Sequence, residues 1–131
     1  MQIPLIICSI ASGIILFQSV LIAPAINKLI DQRQASTLLR HLWPKFFFII
    51  GSLFMVSFVS SLIFTPDQIL TKYSSGLSFV LISICYFLVP TINNAKDSSK
   101  KRLWSSLHLT TVILTLITLI LSISTIYFNK F

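Results

Sequence analysis

The chain has 131 residues, 55% of them hydrophobic and 10% charged, with a formal net charge of +7 and a mean hydropathy of +0.91. A water-soluble domain carries about a quarter charged residues, so this composition excludes an ordinary soluble fold and points to an integral membrane protein. The excess of basic residues does not by itself mean nucleic acid, because juxtamembrane Lys and Arg also attract anionic headgroups, at about 1 kcal/mol each near the surface.

Read from the N-terminus, the first apolar block covers residues 3–26 and contains no Lys, Arg, Asp or Glu. A spanning helix needs about 20 such residues. The block has no basic segment before it and no short apolar core leading to a small-x-small site, so it is expected to remain as a span rather than be cleaved. Gln18 is the only amide deep inside a span, and such groups usually face protein or water.

The segment after it is basic, with Lys28, Arg33, Arg40 and Lys45. Within it, Ala35, Leu38, Leu39, Leu42 and Trp43 fall at i, i+3, i+4, i+7 spacing. This predicts a short surface helix over about 32–42, capped by Asp31 and ended by Trp43-Pro44. The second block covers 46–64 and the third 73–92, joined by a loop whose one basic residue is Lys72. A second basic segment holds Lys96, Lys100, Lys101 and Arg102, and the fourth block covers 107–128 with Lys130 after it. A mid-helix charge costs about 2.5 to 3.5 kcal/mol on insertion, and all ten cations lie outside the four blocks. A membrane β-barrel would show alternating segments of about ten residues instead.

Eight of the ten cations lie in the first and third connections, so the positive-inside rule places residues 27–45 and 93–106 in the cytoplasm and both termini outside. Trp43 and Trp104 then occupy the cytoplasmic aromatic belt, and Lys45 snorkels to the same level. Cys8 and Cys85 lie at depths differing by roughly 16 Å at 1.5 Å per residue, which leaves no bridge between them.

The ends of the first and third spans align without a gap. Residues 21–31 and 87–97 share Pro, Ile, Asn and Asp at the same offsets, as Pro24, Ile26, Asn27, Asp31 and Pro90, Ile92, Asn93, Asp97. The expected unit is a helical hairpin used twice, its copies related by a pseudo-two-fold axis along the membrane normal. Each proline removes a backbone donor and frees a carbonyl one turn earlier. Asn27 and Asn93 are placed to satisfy exposed backbone groups, and Asp31 and Asp97 to cap the next helix or to pair with cations.

In the fourth block His108, Thr111, Thr115, Thr118, Ser122 and Thr125 recur every three or four residues and so share one helix face. They read as a packing seam of small hydroxyl residues, or as a polar track with Gln18 facing it. Catalytic chemistry finds little footing. No span carries an acid, the three glycines are isolated, and His41 and His108 lie near the cytoplasmic boundary. Two histidines at one level leave open a surface metal or haem, while a haem held across the bilayer would need imidazoles within the spans.

Ala23-Pro24-Ala25 at the end of the first span, Pro44 to Phe47 opening the second, Pro-x-Ile-Asn-x3-Asp closing the third and Leu107-His108 opening the fourth resemble the transmembrane-protein-205-like domain family, whose bacterial members form domain of unknown function 4149. The resemblance implies a compact four-span membrane protein and brings no established reaction.

The expectation is a single all-α domain over residues 1–131, an integral membrane four-helix bundle of the bacterial inner membrane. It has no catalytic, metal or cofactor-binding residue assigned. Its partners are anionic headgroups at the basic loops and a second copy or a larger membrane complex, with no nucleic acid. The favoured role is non-enzymatic, through helix packing, as a structural protein, subunit or assembly factor. The alternatives are a small transporter or channel between the repeated hairpins and, third, a haem- or metal-linked redox protein.

Overall fold

The computed structural model describes residues 2–129, which leaves Lys130 outside the described residues. The chain forms α1 (Ile3–Phe17), a π-helical turn (Gln18–Ile22), α2 (Ala23–Leu29), α3 (Gln32–Phe64), α4 (Ile69–Asp97) and α5 (Lys101–Asn129). Four helices are long and apolar enough to cross a membrane: the composite first helix Ile3–Leu29, then α3, α4 and α5. The 29 residues of α4 reach about 44 Å at 1.5 Å per residue, so they exceed a hydrocarbon core of about 30 Å and extend into the headgroup zones.

The helices form an antiparallel bundle in which α1 lies between α3 and α5, and α4 lies between the same two on the opposite side. Connections 30–31 and 98–100 lie at one end with the cations that flank them, and connection 65–68 lies at the other. The buried centre combines Cys8, Ala11, Ile15, Phe47, Ile50, Phe54, Ile82, Cys85, Val89 and Leu119. Large aliphatic and aromatic side chains such as Phe48, Ile63, Phe87, Leu109 and Ile120 stand exposed around the outside. In water such a surface would be an aggregation liability, and in lipid it is the expected coat. The chain is an integral membrane four-helix bundle.

Asp31 caps α3 as expected: its backbone is extended and its Oδ1 accepts from the Gln34 N–H at 2.9 Å. The expected stop at Trp43-Pro44 does not occur, and the segment over 32–42 continues unbroken into the second span with Pro44 inside the helix. One contact along the helix and two with the rest of the bundle account for this. Trp43 stacks on Phe47 at 5.6 Å across the proline, Phe47 is buried, and Arg40 is held by Asp97 at the end of α4. Together these hold the axis where the missing N–H alone would favour a break.

The two proline motifs also differ from one another. Before Pro24 the helix widens into the π turn, with the Ala23 N–H bonded to the Gln18 carbonyl five residues back, whereas Pro90 sits within a continuous α4. Past Asp97, Ser98 to Lys100 close the turn into α5, with the Lys100 N–H on the Ala95 carbonyl and the Ser99 N–H on that of Lys96. Ser99 takes φ 58 there, the left-handed position of a Schellman turn that glycine usually fills.

Candidate functional site

Two halves of the bundle differ in how their polar groups are used. Near the termini and connection 65–68, hydroxyls tie all four helices together. Ser12 Oγ donates to Ser122 Oγ (2.8 Å), and Ser122 Oγ donates to the Cys8 carbonyl (3.0 Å). Ser57 Oγ and Ser75 Oγ lie 2.8 Å apart, and Cys8 Sγ lies 3.5 Å from Ser57. Thr125 Oγ1 donates to Ser74 Oγ (2.7 Å), which donates to the Leu121 carbonyl (3.1 Å). Small side chains permit the close approach that these bonds need.

Toward the basic end the bundle opens. After the π turn, α2 packs only on the tip of α3 and leaves the side of α5. A half-open cleft of about 720 Å³ results, bounded by the first helix, the start of α3 and α5. One wall is Ile15, Leu16, Ser19, Val20 and Ala23; Ala35, Leu39, Trp43 and Phe47 form the floor; Val112, Thr115, Leu116 and Leu119 form the other wall. Polar groups gather at the basic end as Asn27, Gln32, Ser36, Lys96 and His108. Lys96 Nζ stands 5.2 Å from the Trp104 ring centroid, and His108 stacks on the same indole at 5.3 Å.

Of the residues singled out from the sequence, Gln18, Asn27, His108, Thr111 and Thr115 meet in this cleft, and Pro24 follows its lining residue Ala23. Gln18 thus lines the same space as Thr115, and its side-chain carbonyl accepts locally from Ser19 Oγ at 3.3 Å. The other residues go elsewhere. Thr118 is buried in the seam and donates to the Leu114 carbonyl, and Pro90 is exposed on α4. Asp97 accepts both terminal nitrogens of Arg40, whose Nη2 also reaches the Asn93 carbonyl at 3.5 Å. The expectation that the Asn27 and Asn93 side chains satisfy exposed backbone groups is corrected, since among the described residues neither amide side chain makes such a bond. The guanidinium takes the Asn93 carbonyl, and Asn27 lies in the cleft wall.

The hydrogen bond to Arg40, and secondarily its charge and that of Lys96, hold the Asp97 carboxyl below its usual range. His41 and His108 engage separately: Lys45 Nζ donates to His41 Nε2 at 2.9 Å, and His108 lies between the Trp43 and Trp104 rings. Among the described residues no three His, Cys, Asp or Glu side chains converge on a point. Cys8 and Cys85 are free and buried.

Several functional positions escaped the sequence reading. The seam also uses Ser57, Ser60 and Ser61, and Thr71, Ser74, Ser75 and Ser78, all buried and all at the three-to-four spacing that marked the face of α5. That spacing was the available signal. The cleft's use of Lys96 and Gln32 had none, because it depends on the departure of α2.

No curated protein and no solved structure matches the chain significantly. A family model described as a domain of unknown function, DUF4149, matches residues 6–101, from α1 to the first residue of α5, and the chain belongs to that family.

Proposed function

We propose that this chain is a non-enzymatic protein of the bacterial inner membrane, with both termini outside and residues 27–45 and 93–106 in the cytoplasm. It works through helix packing, as a structural protein that self-associates or as a subunit or assembly factor of a larger membrane complex. One observation supports this most. Hydroxyls of the terminal half bond to one another and to backbone carbonyls between helices, as in Thr125 to Ser74 and Ser122 to Cys8, while Ser78 Oγ alone of the seam is buried without a partner among the described residues. Those polar groups therefore serve cohesion, while the outer apolar side chains stay available to other membrane helices. The test is purification in mild detergent with mass spectrometry of what accompanies the chain. A stoichiometric protein partner or a defined homo-oligomer is the expected result, and a monomer alone would remove the proposal.

A second reading, a small transporter or channel, is favoured by Gln18 and Thr115 lining one cleft. It predicts solute flux in liposomes that Gln18→Leu with Thr115→Val abolishes. A structural protein has no flux to lose.

A further inference from the structure

We infer that the cleft at the basic end is a binding site for one anionic phospholipid, with its phosphate at Lys96 and an acyl chain along the first helix and α5. Three observations converge on a lipid. The lining residues of α5 run from Trp104 to Leu119, which is about 22 Å at 1.5 Å per residue. Half of a bilayer including its headgroups is about 20 to 22 Å, so the cleft has the depth of a single leaflet.

Its chemistry is graded in the same sense. Lys96, Gln32, Asn27 and His108 stand at the basic end, and Ile15, Leu16, Leu116 and Leu119 at mid-bundle. The mouth opens sideways: Leu16, Val20 and Leu116 line the cleft yet are 44%, 64% and 53% exposed, so hydrocarbon can enter laterally from the membrane.

Charge selects the headgroup. Asp97, the carboxylate nearest Lys96 in sequence, is taken by Arg40, and among the described residues Lys96 has no carboxylate within ion-pair distance. Its ammonium rests over Trp104 at the rim, where a phosphate oxygen can reach it. A helix of a second copy is the less suitable occupant. A copy inserted the same way and seated in this cleft would set its own cations against Lys96 at the rim, whereas an anionic lipid neutralises them and leaves the other faces free for association. The other groove, about 400 Å³ between α3 and α4, has no charged residue in its lining and lacks the means to prefer one headgroup.

Trp43 and Trp104 are the only tryptophans and both line the cleft, so intrinsic fluorescence reports occupancy. The full chain is reconstituted in phosphatidylcholine vesicles containing a minor fraction of brominated phosphatidylglycerol or, separately, of brominated phosphatidylcholine. Stronger quenching by the anionic lipid, saturating at low fraction, is expected. Lys96→Gln should cut the preference about fivefold, which is the factor equivalent to about 1 kcal/mol per basic residue at anionic headgroups. Val20→Phe, which fills the exposed mouth, should abolish it, and Lys101→Gln, exposed and outside the lining, should leave it intact.

Equal quenching by the two lipids would overturn the assignment, as would an unchanged preference in Lys96→Gln. Loss of quenching on adding inorganic phosphate would reassign the site to a free anion. A cross-linked dimer whose tryptophans are shielded whatever the lipid would reassign the cleft to a second copy.

Discussion

Arg40 joins the two basic connections of the bundle. Its planar fork gives both terminal nitrogens to the Asp97 carboxylate, a paired geometry that Lys would not reproduce, and one of them also reaches the Asn93 carbonyl. Asp97 lies beyond the apolar part of α4, and its side chain is exposed enough for solvent to screen the pair, so the contribution to stability is small. Its sign with pH is nevertheless defined. The folded carboxyl titrates below its reference value of 3.8, so the stabilisation is complete above that value and is lost as pH falls through the lower folded one. Asp97→Asn is therefore expected to lower thermal stability slightly and equally at pH 7 and pH 5, and to converge with the parent chain in strong acid. A midpoint difference growing between pH 5 and pH 7, read by circular dichroism in detergent, would contradict this. At this scale the sequence was partly legible. An Asp just before an apolar-periodic stretch marks a cap, and Asp31 is one. Asp97, in the same motif, ends its helix and meets a guanidinium 57 residues away in the chain, a contact that only tertiary structure reveals.

Pro24, Pro44 and Pro90 sit past the first turn of long membrane-spanning helices with two outcomes, and elements of this kind were the least legible. Pro44 is passed without a break, Pro90 lies inside α4, and Pro24 comes after a π turn. Each removes one donor and crowds the carbonyl four residues back. What differs is the packing around each, so the sequence motif shared at residues 24 and 90 has two local forms. A π turn inserts an extra residue into the ladder, and such turns are frequent at functional sites. Here it sends α2 away from α5 and opens the cleft. Pro24→Ala restores an N–H able to bond the Val20 carbonyl, so the segment is expected to rewind toward α geometry and α2 to move back along α5. Stability should rise by at most about 3 kcal/mol, the interior penalty of a proline, and by less where the π turn has already relieved the clash. Spin labels at positions 20 and 116, across the mouth, should report a shorter distance than in the parent chain. An unchanged distance would mean that the π turn is held by packing rather than by the missing donor.

The molecule as a whole divides its two ends between different tasks. The terminal half is closed by hydroxyls shared among the helices, and the basic half is open, cationic and ringed by indoles. The span count and the gathering of cations at one end were legible directly in the sequence, because apolar length and charge exclusion are local properties that lipid imposes on every spanning helix. The closed and open halves were not, since they arise from how helices meet. The structure places connections 30–31 and 98–100 together; the compartment they face rests on charge. Lys and Arg flanking spans resist translocation, and eight of the ten flank the two connections at this end. Single cysteines introduced into a Cys8→Ser, Cys85→Ser background should therefore behave oppositely at the two ends. A cysteine at position 99 should stay unlabelled by a membrane-impermeant maleimide in intact cells and react after permeabilisation, while one at position 67, in the opposite connection, should react at once. The two buried native thiols are removed only to clear the background, at sites where serine keeps a hydrogen-bonding side chain of similar size. Immediate labelling at position 99 with protection at position 67 would invert the chain in the membrane. The cleft would then lie in the outer leaflet, where its cations would meet a different set of headgroups.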